Sequence, residues 1–96
     1  MTETAQVRLR RLKMRSWRRG MKEMDLILGH FADGPLAGLS ATALDDYEAL
    51  LTENDQDLYL WVTGRMNGID RPGPEALAEI LDTVAAHATA RLGPVR

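Results

Sequence analysis

The residues best placed to do chemistry lie on either side of a single glycine, in the stretch RRGMKEMD at positions 18–25. Arg15 and Arg19 bring positive charge to one side of Gly20. Glu23 and Asp25 bring negative charge to the other side. Because glycine has no side chain, another protein's backbone can approach it closely, while the flanking charges offer charge-assisted hydrogen bonds that set orientation. The pattern therefore predicts a docking surface for a protein partner.

The same stretch also has a purely structural interpretation. If Gly20 is the N-cap of a second helix, Glu23 occupies its third position, where a carboxylate can accept the N–H of the cap residue. Such a carboxylate also interacts favourably with the helix dipole. Gly20 could in addition adopt a positive φ and end the first helix in a sharp turn. A lone G-x-x-E element is common at helix corners, so it does not by itself establish binding.

No other group of residues is arranged for catalysis or cofactor binding. The chain has no cysteine, which excludes thiolate metal sites and thiol nucleophiles. His30 and His87 fall on different predicted helices without a carboxylate at metal-ligand spacing. Ser16 and Ser40 have no base in their sequence context, and no glycines form a phosphate-binding loop. We predict no catalytic residue, no metal site and no stable FAD site in this chain.

Charge is strongly segregated along the chain, although the net charge is only −2. Eight of the 12 Lys and Arg residues precede residue 23, where Glu3 is the only acid, and the other 13 of the 14 acids follow. Arginines recur at spacings of three and four along the first predicted helix, which places them on one face: Arg8, Arg11, Arg15 and Arg18.

The arginine face allows alternatives to docking on one dedicated partner. A basic helical adaptor or regulator could bind nucleic acid through it, or bind another regulatory protein. The same helix could lie on an anionic membrane. The rest of the chain is acidic and the apolar side of this helix is modest, which argues against nucleic acid and against a membrane.

The scaffold that must position these residues is helical, because apolar residues recur with helical periodicity and β-branched residues are few. Two helices are predicted at about 4–17 and 21–32, and a third after a cap at Ser40. A short fourth helix follows TENDQD (52–57), and the last has Pro74 at its first position and ends at Gly93-Pro94. Loops are expected at DGPLAG (33–38) and GIDRPGP (68–74).

The predicted fold class is all-α, a compact five-helix bundle with Phe31 and Trp61 as the large fillers of one core. We predict a single domain, residues 1–96, with the basic helix and the glycine motif in 4–32 and helices three to five in 40–92. The longest apolar run, at 58–62, is far shorter than the roughly 20 residues that span a bilayer. No apolar segment follows the basic N-terminus, as a secretory signal would require. We expect a cytoplasmic protein that is a monomer when free.

Two blocks of the sequence resemble one family. RLKMRSWRRGMKEMDLILGHFA, residues 11–32, is similar to the signature region of the succinate dehydrogenase flavinylation factors, also called FAD assembly factors, in their bacterial form. The R-G-x-x-E element of that family corresponds to Arg19, Gly20 and Glu23 with two variable residues between. ENDQDLYLW, residues 53–61, resembles the family's acidic turn before a short helix with a tryptophan. The resemblance extends from about residue 8 to residue 90.

The resemblance implies a function in assembly. Members of this family bind the flavoprotein subunit of succinate dehydrogenase, and in some bacteria that of fumarate reductase. They promote the covalent attachment of FAD to a histidine of that subunit, and are not enzymes themselves. By this resemblance Arg19, Gly20 and Glu23 contact the partner near its flavin, with Asp25 and Arg15 as additional contacts. FAD would be held by the partner, and residues 64–96 would serve only packing.

Overall fold

The computed structural model describes residues 3–93 and contains, within them, five α-helices and no β-strand. The all-α prediction is confirmed. The helices are α1 (Ala5–Ser16), α2 (Lys22–Asp33), α3 (Ala41–Leu50), α4 (Asp55–Met66) and α5 (Ala78–Leu92). The predicted single domain, 1–96, stays a prediction, and its first two and last three residues, including Pro94, lie outside the described residues.

Three helices begin at polar residues whose side chains accept a backbone N–H of the first turn. Thr4 caps α1 through the N–H of Val7 at 3.1 Å. Ser40 caps α3 at the same distance from the N–H of Ala43, as predicted. Asn54 caps α4. Each cap satisfies one of the donors that a helix start leaves without a partner, so these boundaries are local properties of the sequence.

The predicted loops contain short 3-10 turns. Pro35–Gly38 forms one such turn inside DGPLAG. A second, Glu75–Leu77, follows Pro74 and precedes α5. The prediction that Pro74 is the first residue of the last helix is therefore wrong, because the chain makes a tighter turn before α5 begins at Ala78. The segment 68–74 is not helical, as predicted.

The core is built from the apolar stripes of all five helices. Phe31 is fully buried and stacks on the buried ring of Tyr47, with 5.3 Å between ring centroids. Trp61 is only partly buried and packs at the edge of the core, so the prediction of two large fillers holds for Phe31 alone. Tyr47 on α3 fills the interior instead.

A polar contact inside the core links α1, α2 and α3. The hydroxyl of Tyr47 lies 2.6 Å from that of the fully buried Ser16 and 3.3 Å from the carbonyl oxygen of Leu28. Ser16 also donates to the carbonyl of Leu12 within α1. Burial raises the pKa of Tyr47 to about 12, because a phenolate would lose its hydration there. The contact fixes the C-terminal end of α1, where the glycine motif begins.

Candidate functional site: the arginine–glycine corner

The chain turns sharply between α1 and α2 in a segment that we call the corner, residues 17–23. Gly20 lies in the middle of the corner and is exposed to solvent. The N-cap of α2 is Met21, so the structural interpretation with Gly20 as the cap does not hold, and Glu23 is the second helical residue rather than the third. Positive φ occurs at other glycines but not at Gly20. The capping and left-handed-turn explanations for this glycine therefore do not apply.

The conformation of the corner is set by a carboxylate from a distant part of the chain. Asp55, the first residue of α4, accepts hydrogen bonds from the backbone N–H of Gly20 at 2.7 Å and of Met21 at 3.2 Å. Its other oxygen lies 2.6 Å from Nε of Arg19. The side chains of Arg19 and Asp55 are 11% and 16% exposed. Three donors converge on one nearly buried carboxylate, which holds the corner against α4.

Arg19 also joins the corner to the end of α3. Its two terminal nitrogens donate to the carbonyl oxygens of Leu51 and Glu53, each at 2.7 Å. Leu51 is the C-cap of α3, where helical carbonyls lack partners within the helix. A guanidinium satisfies such carbonyls and is favourable near a helix C-terminus. The structure therefore places the charge of Arg19 in an internal contact among the corner, α3 and α4.

Asp25 is likewise directed inward. Its carboxylate accepts the backbone N–H of Arg19. Asp25 lies in the first turn of α2, where a negative charge is favourable. Glu23 differs, since it is exposed and its carboxylate has no hydrogen bond or ion pair with any residue of 3–93. Of the two acids that the sequence singles out in α2, Asp25 shapes the corner and Glu23 faces solvent.

The arginine face of α1 is divided in the structure. Arg8 pairs with Asp45 at 2.7 Å and with Glu48 at 2.9 Å, both on α3. Arg11 also reaches Glu48, at 2.9 Å. The Arg11 guanidinium holds the pKa of Glu48 below its usual value. Arg15 is half-buried and takes part in none of the ion pairs found among residues 3–93. The C-terminal end of this face therefore keeps its charge unneutralised.

A second glycine in this region has a packing function that the sequence analysis missed. Gly29, buried in the middle of α2, lies under the ring of Trp17, and a Cβ there would fall 2.3 Å from that ring. The indole nitrogen of Trp17 donates to Asp33 at 3.1 Å, and its ring meets His30 edge-on at 5.2 Å. A glycine inside an apolar helical pattern was the available signal, since it usually marks a close approach. This contact sets the direction in which the chain leaves α1.

Asp55 is the other residue that sequence reasoning passed over, because an acid beside Asn54 has the features of an ordinary helix cap. Nothing local connects it with a glycine 35 positions earlier. The signal was its place in the block ENDQDLYLW, one of the two that carry the family resemblance. The structure supplies a physical reason for the pairing of the two blocks, because the second holds the first in shape.

The histidines and carboxylates of residues 3–93 form no group of three or more that could hold a metal ion. His87 packs edge-on against Phe31, and burial lowers its pKa. No helix described here is long and apolar enough to cross a membrane. Exposed backbone at Gly20 and a free carboxylate at Glu23 are groups that suit recognition of a protein surface.

Comparisons with known proteins agree with the sequence resemblance. The family model described as flavinator of succinate dehydrogenase matches residues 10–88. A curated relative from Meyerozyma guilliermondii is 39% identical over 79 residues, which cover 82% of this chain and 58% of that protein. One from Debaryomyces hansenii is 44% identical over 61 residues, covering 64% of this chain and 43% of that protein. Both are named succinate dehydrogenase assembly factor 2, mitochondrial. The chain thus spans about half the length of these relatives, and no solved structure matches it.

Proposed function

This chain belongs to the family of flavinators of succinate dehydrogenase, and on that premise we propose that it binds the flavoprotein subunit of succinate dehydrogenase and promotes covalent attachment of FAD to a histidine of that subunit. The observation that carries the proposal is the extent of the family match, residues 10–88, which includes both the corner and Asp55. The names of the curated relatives refer to assembly of the same complex.

In the proposed complex the corner docks on the partner through its exposed groups. Gly20 offers a bare backbone that another chain can approach, and Glu23 offers a carboxylate with no partner among the described residues. Arg19 and Asp25, which the resemblance would make direct contacts, act in this proposal as positioning residues, because their polar groups are used to shape the corner. Arg15, half-buried and unpaired among residues 3–93, remains an additional contact.

The proposed mechanism is selection of one conformation of the partner. A chain that binds only the arrangement in which the partner's histidine faces the flavin raises the population of that arrangement by its differential affinity. This requires no acid, base or cofactor from the chain itself, and FAD stays with the partner throughout. A fumarate reductase subunit is a second candidate partner of the same chemistry. The free chain is proposed to be a monomer and, unlike the relatives that are named mitochondrial, to act in the cytoplasm.

Reconstitution of flavin attachment tests the proposal. The partner's flavoprotein subunit, purified without covalent flavin, is incubated with FAD and this chain, and covalent flavin is measured by its fluorescence in a denaturing gel. We expect attachment to be faster with the wild-type chain, strongly reduced with Gly20→Trp, and reduced with Glu23→Ala. Gly38→Trp is the matched control, since Gly38 is also exposed and a Cβ there would contact nothing within 4 Å.

Two results would contradict the proposal. Equal attachment with and without the wild-type chain would remove the assembly function. A tight calorimetric isotherm for FAD with the isolated chain would place the cofactor here rather than on the partner. The alternative of a nucleic-acid adaptor is weakened by the structure, because two of its four stripe arginines, Arg8 and Arg11, are already paired with α3 carboxylates.

A further inference from the structure

The outer face of α1 is an open groove with an apolar floor and a basic rim, which we call the outer groove. Val7 and Met14 form the floor, seven residues apart, and are 47% and 48% exposed. Arg10, Arg11, Arg15 and Arg18 lie along it. These positions recur at the spacings with which one helix presents a seam to another. The groove also reaches Arg19, so it is continuous with the corner.

The arginines that line this groove on its outer side differ in their pairing from those on the side that faces α3. Arg8 and Arg11 have carboxylate partners within residues 3–93, whereas no carboxylate in that range pairs with Arg10, Arg15 or Arg18. Val7 and Met14 are half-exposed and lie between these unpaired arginines, so this face has apolar surface and positive charge without a counterpart among residues 3–93. A partner that fits this face needs carboxylates opposite the arginines and apolar side chains opposite Val7 and Met14.

The molecule itself contains an example of the element that pairs with such arginines. On α3, Asp45 and Glu48 are three residues apart and meet Arg8 and Arg11, which are also three apart on α1. A helix with acids at this spacing therefore matches Arg15 and Arg18, which are also three residues apart. A second helix of the same pattern, with an apolar residue facing Val7 or Met14, would complete the outer groove.

We propose that the outer groove is a second docking surface that binds an acidic amphipathic helix of the flavoprotein partner. The proposal rests on the proposed function, and extends the contact from the corner along the length of α1. The arginines steer the partner and set its register, while the corner meets the region of the flavin. An apolar floor distinguishes this groove from a phosphate-binding surface, which would not need exposed Val7 and Met14.

Binding of the purified flavoprotein subunit to charge-reversed variants tests the inference. Affinity and association rate are measured for wild type, Arg10→Glu and Arg18→Glu by surface plasmon resonance at two salt concentrations. We expect each reversal to weaken binding about 10-fold or more, mainly through slower association, and to flatten the salt dependence. Met14→Gln should speed dissociation. Arg91→Glu, the same charge change at an exposed position on α5, should leave affinity within about 2-fold of wild type.

The outcomes separate this inference from the proposed function. If Gly20→Trp abolishes binding while Arg10→Glu and Arg18→Glu bind like wild type, the groove is not a docking surface and the corner alone carries the function. If wild type fails to bind the subunit at all, both are overturned. Tighter binding of the wild-type chain to duplex DNA or to phosphatidylserine vesicles than to the subunit would also overturn the inference. Melting by circular dichroism confirms that each variant remains folded.

Discussion

Two regions of this molecule use the same device to hold an irregular segment, with different results. At the corner, Arg19 pairs with Asp55 of α4 and donates to two backbone carbonyls. In the last turn of α4, Arg65 pairs with Asp82 of α5 at 2.8 Å and donates to the carbonyls of Trp61 and Pro72. Both arginines are nearly buried, with 11% and 4% of the side chain exposed. We call these two contacts the corner clamp and the loop clamp.

The clamps differ in how they hold their segments. In the corner clamp the carboxylate also binds the N–H groups of Gly20 and Met21, which keeps the bare backbone of Gly20 at the surface. In the loop clamp Gly73 has a positive φ, and a Cβ there would fall 3.0 Å from the ring of Trp61. The first clamp holds its segment by backbone N–H groups, whereas the second holds 68–74 through the carbonyl of Pro72 and leaves most of that segment exposed.

The two segments also differ in what the sequence indicates about them. The corner belongs to one of the two blocks that carry the family resemblance, whereas 68–74 lies outside both blocks. A buried arginine–aspartate pair is therefore not in itself a sign of a binding site. The exposed groups that the pair positions carry the functional argument.

Among the variants that test this comparison, Asp55→Ala is expected to cause the largest loss of stability. It leaves the nearly buried Arg19 without a counter-charge and frees two backbone donors, so the free energy of unfolding should fall by about 3–5 kcal/mol. Urea denaturation followed by circular dichroism measures the loss. A loss below about 1 kcal/mol would mean that the pair behaves like an exposed surface ion pair. Asp55→Asn, which keeps an oxygen acceptor, is the milder control.

Arg65→Ala should destabilise less, by about 2 kcal/mol, because it leaves behind Asp82, which is 41% exposed and still paired with Arg71. It should leave docking on the flavoprotein subunit unchanged, which separates the loop clamp from the corner clamp. Denaturation and partner binding are measured on the same protein. Arg71→Ala, at a side chain 64% exposed, should change stability by only about 0.5 kcal/mol. Loss of docking in Arg65→Ala would contradict the distinction.

Alanine substitutions at Gly73 and Gly20 test the same difference between the two segments. Gly73→Ala forces a side chain into φ of 113° and a Cβ to within 3.0 Å of Trp61, so it should cost about 1–3 kcal/mol. Gly20→Ala meets only a carboxylate oxygen of Asp55 at 3.4 Å and has no positive φ, so its cost should stay below about 1 kcal/mol. Thermal melting ranks the two variants. The reverse ranking would show that Gly20 is required for folding rather than for access.

The smallest expected effect is a pH dependence of the loop clamp. The guanidinium groups of Arg71 and Arg65 hold the pKa of Asp82 below its ordinary value of 3.8. A carboxylate with a lowered folded-state pKa stabilises the fold above its unfolded value, and that contribution is lost as pH falls through the folded value. The stability difference between wild type and Asp82→Asn should therefore narrow as the pH falls below about 4. A difference that stays constant would show that the pairs contribute nothing.

Much of the scaffold could be predicted from the sequence because its causes are local. The cap at Ser40 and the apolar stripe of α2 depend on residues within a turn or two of one another. The errors fell where distant groups compete with local rules. The structural interpretation made Gly20 a cap because a carboxylate stands three residues later, whereas the donors of the corner are satisfied by Asp55, 35 residues away. Trp61 was assigned to the core and instead covers Gly73.

Periodicity, capping and composition act over short distances, so the helical class, the positions of the helices and the charged motif around one glycine follow from the sequence alone. Which of these charges are paired within residues 3–93 depends on the tertiary structure. Arg19 and Asp25 are used internally, while Glu23 and the backbone of Gly20 remain exposed. An ion pair depends on which helices meet in space, and that is a property of the packed core rather than of spacing along the chain.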